Sequence, residues 1–419
     1  MLEFTVDNQD YIFNQNNMML EKKNEYIEAD TLHESVPEIS RKKYFANANL
    51  IMNNCCNMAC DYCYANKGRY DVTGKVLDFE TAKTIIDTLV ELALENSGNS
   101  IHVTFFGGEP MLQIDLIKSI VDYTYNKIGE ADIRPNFDIV TNGTLLSNKV
   151  VEYLEEHYFG ITISIDGTQK VHDWSRHFLD GSGTYNLIME NVSRFRNINR
   201  VSARITINNA NTDIISAVND IRKHGITRIV FGIDNNMSQD KFNEFIVNLK
   251  LFFEDYEKAI KGQDFYLVDN ITRYIVRLAL RKKTTCHCSA GISYFSFSAD
   301  KHVYLCHRFT GHNEGLVCDV TDDLKNIISK VATINNNKYR SCSGRSEMCE
   351  NCDVFDLCGG ICKYDAFNAS GDIHGKNLRA CTIKKQIIMS TLKLVISLSE
   401  ERRKEYIMYY MKRMNEYKE

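Results

Sequence analysis

Four cysteines fall within nine residues of the segment Asn54–Tyr64, NCCNMACDYCY. Cys56, Cys60 and Cys63 are spaced C-x3-C-x2-C. Three thiolates on one short loop can hold three corners of a four-iron cluster and leave the fourth iron open to a substrate or cofactor. A structural zinc ion competes for such a loop, but it wants four closed ligands, commonly as paired C-x2-C units. A redox pair needs only two cysteines. Cys55 breaks the spacing and reads as a spare thiol facing the core.

A second group lies in the C-terminal half. The stretch MCENCDVFDLCGGIC reads Cys349-x2-Cys352-x5-Cys358-x3-Cys362, and Cys381 follows after eighteen intervening residues. Upstream, CSAGISYFSFSADKHVYLC runs from Cys288 to Cys306 across a predicted hairpin. Seven cysteines exceed any single four-ligand site, so two sites are required if all are ligands. Two zinc ribbons fit this spacing as well. Cys318 and Cys342 have no assigned partner and read as buried thiols.

The chain around these groups is an ordinary globular sequence of 419 residues, long enough for two or three domains. Its formal net charge of −5 argues against a general nucleic-acid binder, which needs a basic surface, although a local basic groove stays open. The N-terminal MLEFTVDNQDYIF has no basic stretch followed by an apolar one, and no apolar run is long enough to span a bilayer. The expected location is therefore the cytoplasm, with no membrane partner. Structural disulfides are rare there, so dense, regularly spaced cysteines point to metal or catalysis. The cysteine-free stretch between Cys63 and Cys286 also fits poorly with a disulfide framework.

The elements that must position the first group are legible between the two. NLIM, IHVTFF, NFDIV, ITISI, SARITI and TRIVFG are β-branched runs, separated by amphipathic stretches such as FETAKTIIDTLVELALEN. Six strand–helix pairs in a row predict an α/β fold with a parallel sheet and right-handed crossovers, either an open doubly wound sheet or a full or partial barrel. In either, chemistry gathers at the C-terminal ends of the strands, and the cysteine loop follows NLIM directly. The predicted organisation is an N-terminal arm or small β-element over 1–45, an α/β core over 46–240, a helical connector over 241–283, a cysteine-rich domain of short hairpins over 284–382, and a C-terminal helix over 383–419. The Met and Tyr stripe of that last helix reads as packing against the body. The N-terminal arm is the favoured reading of its segment; the β-element would dock a partner strand.

At these residues the chain resembles radical S-adenosylmethionine (SAM) enzymes, whose signature loop CNMACDYCY matches. The resemblance covers about residues 46–240 and implies a partial, six-unit (β/α) barrel. It implies that Cys56, Cys60 and Cys63 hold a 4Fe-4S cluster whose open iron chelates the amino and carboxylate groups of SAM. FFGGEP, with Gly107, Gly108 and Glu109, matches the segment that receives the SAM amino group. TNGT follows the third strand and SIDG the fourth, where Ser164 matches a residue contacting the ribose or carboxylate. Arg176 matches a SAM-contacting arginine, Tyr62 a position that packs on adenine, and Arg204 a second carboxylate partner. Taken one at a time, these residues also have plainer readings: Gly-Gly as a turn, Ser164 or Asp166 as a helix cap, Arg176 in a surface ion pair.

The C-terminal cysteines are similar to those of the SPASM domain, which carries auxiliary 4Fe-4S clusters in a subset of radical SAM enzymes. By that resemblance Cys349, Cys352, Cys358 and Cys381 close one cluster, and Cys288, Cys306 and Cys362 hold the other. Cys286 is a candidate fourth ligand; otherwise the second cluster has an iron open to a substrate thiolate. The family often has a glycine at the hairpin turn, where this chain reads SADKHVY.

The resemblance implies an oxidoreductase in which the reduced cluster cleaves SAM to a 5′-deoxyadenosyl radical that takes hydrogen from a substrate carbon, fed by a donor such as flavodoxin or ferredoxin. Members of this subset act mostly on peptides. Anaerobic sulfatase maturases, which oxidise Cys or Ser to formylglycine, place an aspartate directly after the hairpin's second cysteine; here His307 and Arg308 stand there. CHRF looks more like maturases that join cysteine sulfur to carbon in ribosomally made precursor peptides of the sactipeptide and ranthipeptide kind. The expected function is thioether formation in a cysteine-containing precursor peptide, with sulfatase-type maturation second and a non-catalytic iron–sulfur or zinc scaffold third. No catalytic residue is assigned, and the segment before Cys56 is short for a winged-helix leader-binding domain.

Overall fold

The computed structural model describes residues 1–23, 47–70, 74–321, 323–340 and 347–416. The rest of the predicted N-terminal segment, residues 24–45, and Cys342 lie outside the described residues. The chain begins with an antiparallel sheet of three strands, Leu2–Val6 (β1), Gln9–Asn14 (β2) and Met19–Lys22 (β3). Asp7 and Asn8 turn β1 into β2 with φ of 48° and 61°, the left-handed pair that short acidic and amide side chains tolerate in a two-residue hairpin. Phe4, Phe13, Met18 and Leu20 are buried in the main core. Residues 1–23 are thus a packed β-element and not the favoured surface arm, because alternate residues of these strands carry apolar side chains inward.

All six predicted core runs are strands. Asn47–Ile51 (β4), Ser100–Phe106 (β5), Arg134–Thr141 (β6), Gly160–Ser164 (β7), Val201–Ile207 (β8) and Arg228–Ile233 (β9) pair in parallel, in chain order. The crossovers carry helices Phe79–Glu95 (α1), Ile114–Ile128 (α2), Asn148–Glu156 (α3), Gln169–Ser175 (α4), Tyr185–Val192 (α5) and Ile214–Lys223 (α6). Helix α1 starts where the sequence signals it: Asp78 caps it by accepting a hydrogen bond from the Thr81 amide at 2.9 Å. Its Ile85, Ile86 and Leu89 are fully buried against the sheet.

The predicted connector holds helix Gln239–Lys261 (α7), strand Leu267–Val268 (β10), which extends the parallel sheet beside β9, and helix Asp269–Ala279 (α8). The predicted hairpin is strands Tyr294–Phe297 (β11) and His302–Tyr304 (β12), with Leu316–Asp319 (β13) beyond it. Strand β11 lies parallel to β4, so the cysteine-rich region continues the core sheet in the order β10-β9-β8-β7-β6-β5-β4-β11-β12-β13. The order is linear, with β10 and β13 at its two edges, as a partial barrel requires. Lys301 supplies the left-handed residue of the hairpin turn (φ 68°) in place of a glycine, and the Ser298 amide donates to the His302 carbonyl at 2.9 Å.

Helices Leu324–Arg340 (α9), Glu347–Glu350 (α10), Phe355–Cys358 (α11), Lys363–Ser370 (α12), Leu378–Ser397 (α13) and Glu400–Glu416 (α14) complete the described chain. The single helix expected over 383–419 is two: Leu398 is extended, and the Ser399 hydroxyl caps α14 by accepting from the Arg402 amide. Tyr406 of α14 is buried, with its hydroxyl 2.7 Å from that of Tyr256 and 2.6 Å from that of Thr272. That is packing against the body, as the stripe suggested. Among the described residues no helix is long and apolar enough to cross a membrane.

Candidate functional site

Strand β4 runs into the cysteine loop at its C-terminal end, and the loop is held from both sides. The Gly108 amide donates to the Asn53 carbonyl at 3.1 Å and the Glu109 amide to the Cys55 carbonyl at 2.9 Å. The two glycines make this approach possible. A Cβ on Gly108 would sit 2.0 Å from the Cys55 carbonyl oxygen, and Gly107, at φ 143°, would bring one to 2.9 Å from that of Asn53. On the other side, the Ala59 and Asp61 amides donate to the carbonyls of His177 and Ser175. Cys55 therefore serves the loop through its backbone.

Cys56, Cys60 and Cys63 line a cavity of about 730 Å³ at the C-terminal ends of the strands. The cavity also takes in Tyr62, Gly107, Gly108 and Glu109, together with Ser164, Arg176 and Arg204. Glu109 is fully buried and its carboxylate is spent on its own surroundings. It accepts from the Met111 amide at 3.0 Å, the Thr141 hydroxyl at 2.7 Å and the Asn142 amide at 2.7 Å, joining the ends of β5 and β6. Burial raises its pKa to about 7 against those donors.

Arg176 is not a surface residue. It is buried, its Nε 3.2 Å from Oδ2 of the equally buried Asp166, with its guanidinium 5.5 Å from the centre of the Tyr62 ring. Asp166 also accepts from the Tyr62 hydroxyl and from the Thr206 amide at 2.7 Å. Burial pushes the Asp166 carboxyl up, while Arg176 and the hydrogen bonds pull it down. Arg204 presents its guanidinium to the cavity and, among the described residues, has no carboxylate partner. Burial and then the neighbouring Arg308 and Arg176 lower its pKa, partly offset by Tyr64. An anionic ligand in the cavity would relieve that charge.

The donor set fits iron ligation. Burial pushes the Cys56 thiol up to about 12 and the Cys60 thiol upward too, so a thiolate there needs a bound cation to compensate it. The Met58 amide donates to Cys56 Sγ at 3.4 Å, and Asn142 Nδ2 lies 3.7 Å from it. Among the described residues no three metal-binding side chains converge closely enough for a single ion. In a four-iron cluster each thiolate binds a different iron, so the sulfurs stand farther apart.

The C-terminal cysteines act electrostatically on one another. Burial first, and then Cys352, Cys358 and Cys349, raise the pKa of Cys381, and burial followed by Cys362 and Cys288 raises that of Cys306. Cys286 lines a small pocket shared with Cys288 and Cys349, and its carbonyl packs on Gly359. Cys318, expected to be buried, is half-buried on β13. Cys362 also lines the large cavity, so the near set and the Cys56–Cys63 loop share one space.

Four residues outside the predicted site bear on it. Asp166 clamps Tyr62 and Arg176, and Asn142 backs Cys56. His307 lines the cavity, its Nδ1 2.7 Å from the Tyr294 hydroxyl, and burial followed by Arg204 and Arg308 lowers its pKa to about 3. Asp365 pairs with Arg308 at 2.6 Å; Arg308 also reaches Cys362 Sγ at 3.6 Å. TNGT and SIDG already marked the first two as strand-end polar residues. Nothing in the spacing marked Asp365.

The radical SAM superfamily profile matches residues 50–246. The radical SAM cyclopropyl synthase TigE of Paramaledivibacter caminithermalis is 25% identical over 81% of this chain and 72% of that protein. A cysteine-type anaerobic sulfatase-maturating enzyme of Clostridium novyi is 29% identical over 38% of this chain and 42% of that protein, less than half its length. The solved structure of native anSMEcpe with bound AdoMet and Kp18Cys peptide has a TM-score of 0.71 at 15% identity, covering 84% of this chain and 98% of that one. At that identity the likeness is one of fold, and it extends beyond the matched superfamily segment into the cysteine-rich region.

Proposed function

Because residues 50–246 form a radical SAM domain, we propose that this chain modifies a peptide, joining a cysteine sulfur to a carbon of a ribosomally made precursor. The observation that carries the proposal is the shared cavity: Cys56, Cys60 and Cys63 line one part of it and Cys362 another. The near set has three cysteines, which leaves room for a substrate thiolate beside the reacting carbon. SAM and its cluster, when bound, supply hydrogen abstraction from a substrate carbon, and the two auxiliary clusters a place for the remaining electron.

The chain's own residues bind and orient. Arg204 offers a carboxylate its guanidinium, which has no carboxylate partner among the described residues, Ser164 a strand-end hydroxyl, and Tyr62 a ring fixed by Asp166 and Arg176. Enclosure at the strand ends holds reactants together and keeps water out. His307, neutral and bonded to Tyr294, shapes the wall between the two cysteine-bearing regions.

Two other readings have specific support. The Asp365 carboxylate lines the cavity and would replace the base missing after Cys306, which favours formylglycine formation. The likeness to a cyclopropyl synthase over most of the chain favours a carbon–carbon product. Mass spectrometry of a cysteine-containing peptide, encoded beside the protein and co-expressed with it anaerobically, separates the three. A thioether removes two hydrogens per bridge and blocks alkylation of the cysteine. A cyclopropane removes two hydrogens and leaves the thiol alkylatable, and formylglycine replaces sulfur with an aldehyde oxygen. Either of the last two products overturns the thioether reading.

A further inference from the structure

Helix α13 carries a half-buried cation on the wall of the large cavity that none of this chemistry uses. Lys384 is enclosed between the C-terminal cysteine segments, and its ammonium donates to the Gly360 carbonyl at 2.5 Å and to His287 Nδ1 at 2.7 Å. Both acceptors are neutral, and among the described residues no carboxylate forms an ion pair with it. Partial burial lowers the Lys384 pKa, and a nearby anion would favour its charged form. The cysteines whose ionisation would favour its charge belong to both sets: Cys358 of the far set, and Cys362 and Cys288 of the near set.

The hydrogen bonds place it at the junction. Gly360 stands between Cys358 and Cys362 in the chain, His287 directly precedes Cys288, and Lys384 follows Cys381 by one helical turn. One side chain therefore ties together three segments that supply ligands to two sites. Arg273, on α8, is the other cation acting on Lys384; its Nε donates to the Asp269 carbonyl, so it adds positive charge and no compensation.

We propose that Lys384 is the shared counter-cation of the two auxiliary clusters, neutralising part of the charge of both and raising their reduction potentials together. This rests on the reading of the seven C-terminal cysteines as cluster ligands. Thiolate-ligated 4Fe-4S clusters are net negative and become more so on reduction, so a nearby fixed cation favours the reduced form. A cation between two clusters acts on both, whereas a surface lysine would be screened by solvent.

The test uses the full chain, reconstituted anaerobically, with Cys56, Cys60 and Cys63 replaced by alanine so that only auxiliary clusters contribute. Potentiometric titration followed by electron paramagnetic resonance should show both potentials falling in Lys384→Met and returning in Lys384→Arg. Loss of iron from both sites in Lys384→Met, restored by Lys384→Arg, supports the proposal equally. A shift at one cluster only, or at neither, overturns it. Absence of auxiliary iron in the parent overturns the cluster reading itself, a failure distinct from the others.

Discussion

At the residue scale the site is held by a few buried polar groups that bind one another. Asp166 is the pivot, since Tyr62, Arg176 and the Thr206 amide all depend on it. Asp166→Ala strands the Arg176 cation in a buried position, which costs about 3–5 kcal/mol. Chemical denaturation of cluster-free protein should show that loss, and the double variant Asp166→Ala with Arg176→Met should recover much of it. A double variant no more stable than the single one would mean that the ion pair is not what Asp166 supplies. His172 gives the residue scale its pH dependence. It is buried, its Nδ1 accepts from the Asp166 amide at 3.3 Å, and burial, then Arg176, lowers its pKa from 6.5 to about 3. The unfolded chain binds this proton below pH 6.5 and the folded chain does not, so stability is complete above 6.5 and falls on acidification. The slope from this one group approaches ~1.4 kcal/mol per pH unit. His172→Gln should flatten the stability profile between pH 6.5 and 5 relative to the parent; parallel profiles would refute the assignment.

At the scale of elements, what was legible in the sequence was whatever a short pattern determines. Six β-branched runs gave six parallel strands, whereas Gly107-Gly108 read as a ligand-facing segment or a turn and not as the close approach of β5 to the cysteine loop. Elements fixed by partners distant in sequence were not legible. Strand β11 joins β4 across more than half the chain, and the break before α14 depends on Ser399, one polar residue among many. The turn at Lys301 shows the same limit, because a lysine in a left-handed conformation carries no compositional signal. Gly108 is the sharpest test at this scale. With a methyl group 2.0 Å from the Cys55 carbonyl, Gly108→Ala must push the end of β5 off the loop. The expected outcome is loss of iron from the Cys56–Cys63 site while iron at the C-terminal cysteines is retained, read by metal analysis of the variant. Full iron content at the first site would show that the loop tolerates the displacement.

At the scale of the whole molecule, the core connects regions that the sequence presents as separate. The same buried cluster includes Phe13 of β2, Phe105 of β5, Phe295 of β11 and Tyr406 of α14. The N-terminal sheet also reaches the far cysteine set. Gln15 donates to the Cys352 carbonyl at 3.2 Å and accepts from the Asp356 amide at 3.3 Å, whereas the Met1 ammonium and Asp353 meet at an exposed position where an ion pair contributes little. If the sheet is part of one cooperative unit, damage to it must be felt everywhere. Phe13→Ala removes a fully buried ring and should cost about 3–5 kcal/mol. Calorimetry should then show a single transition at lower temperature, with the barrel and the cysteine-rich region melting together. An unchanged main transition with a small early one would instead make residues 1–23 an appendage, whose hold on the Cys349–Cys358 loop is dispensable.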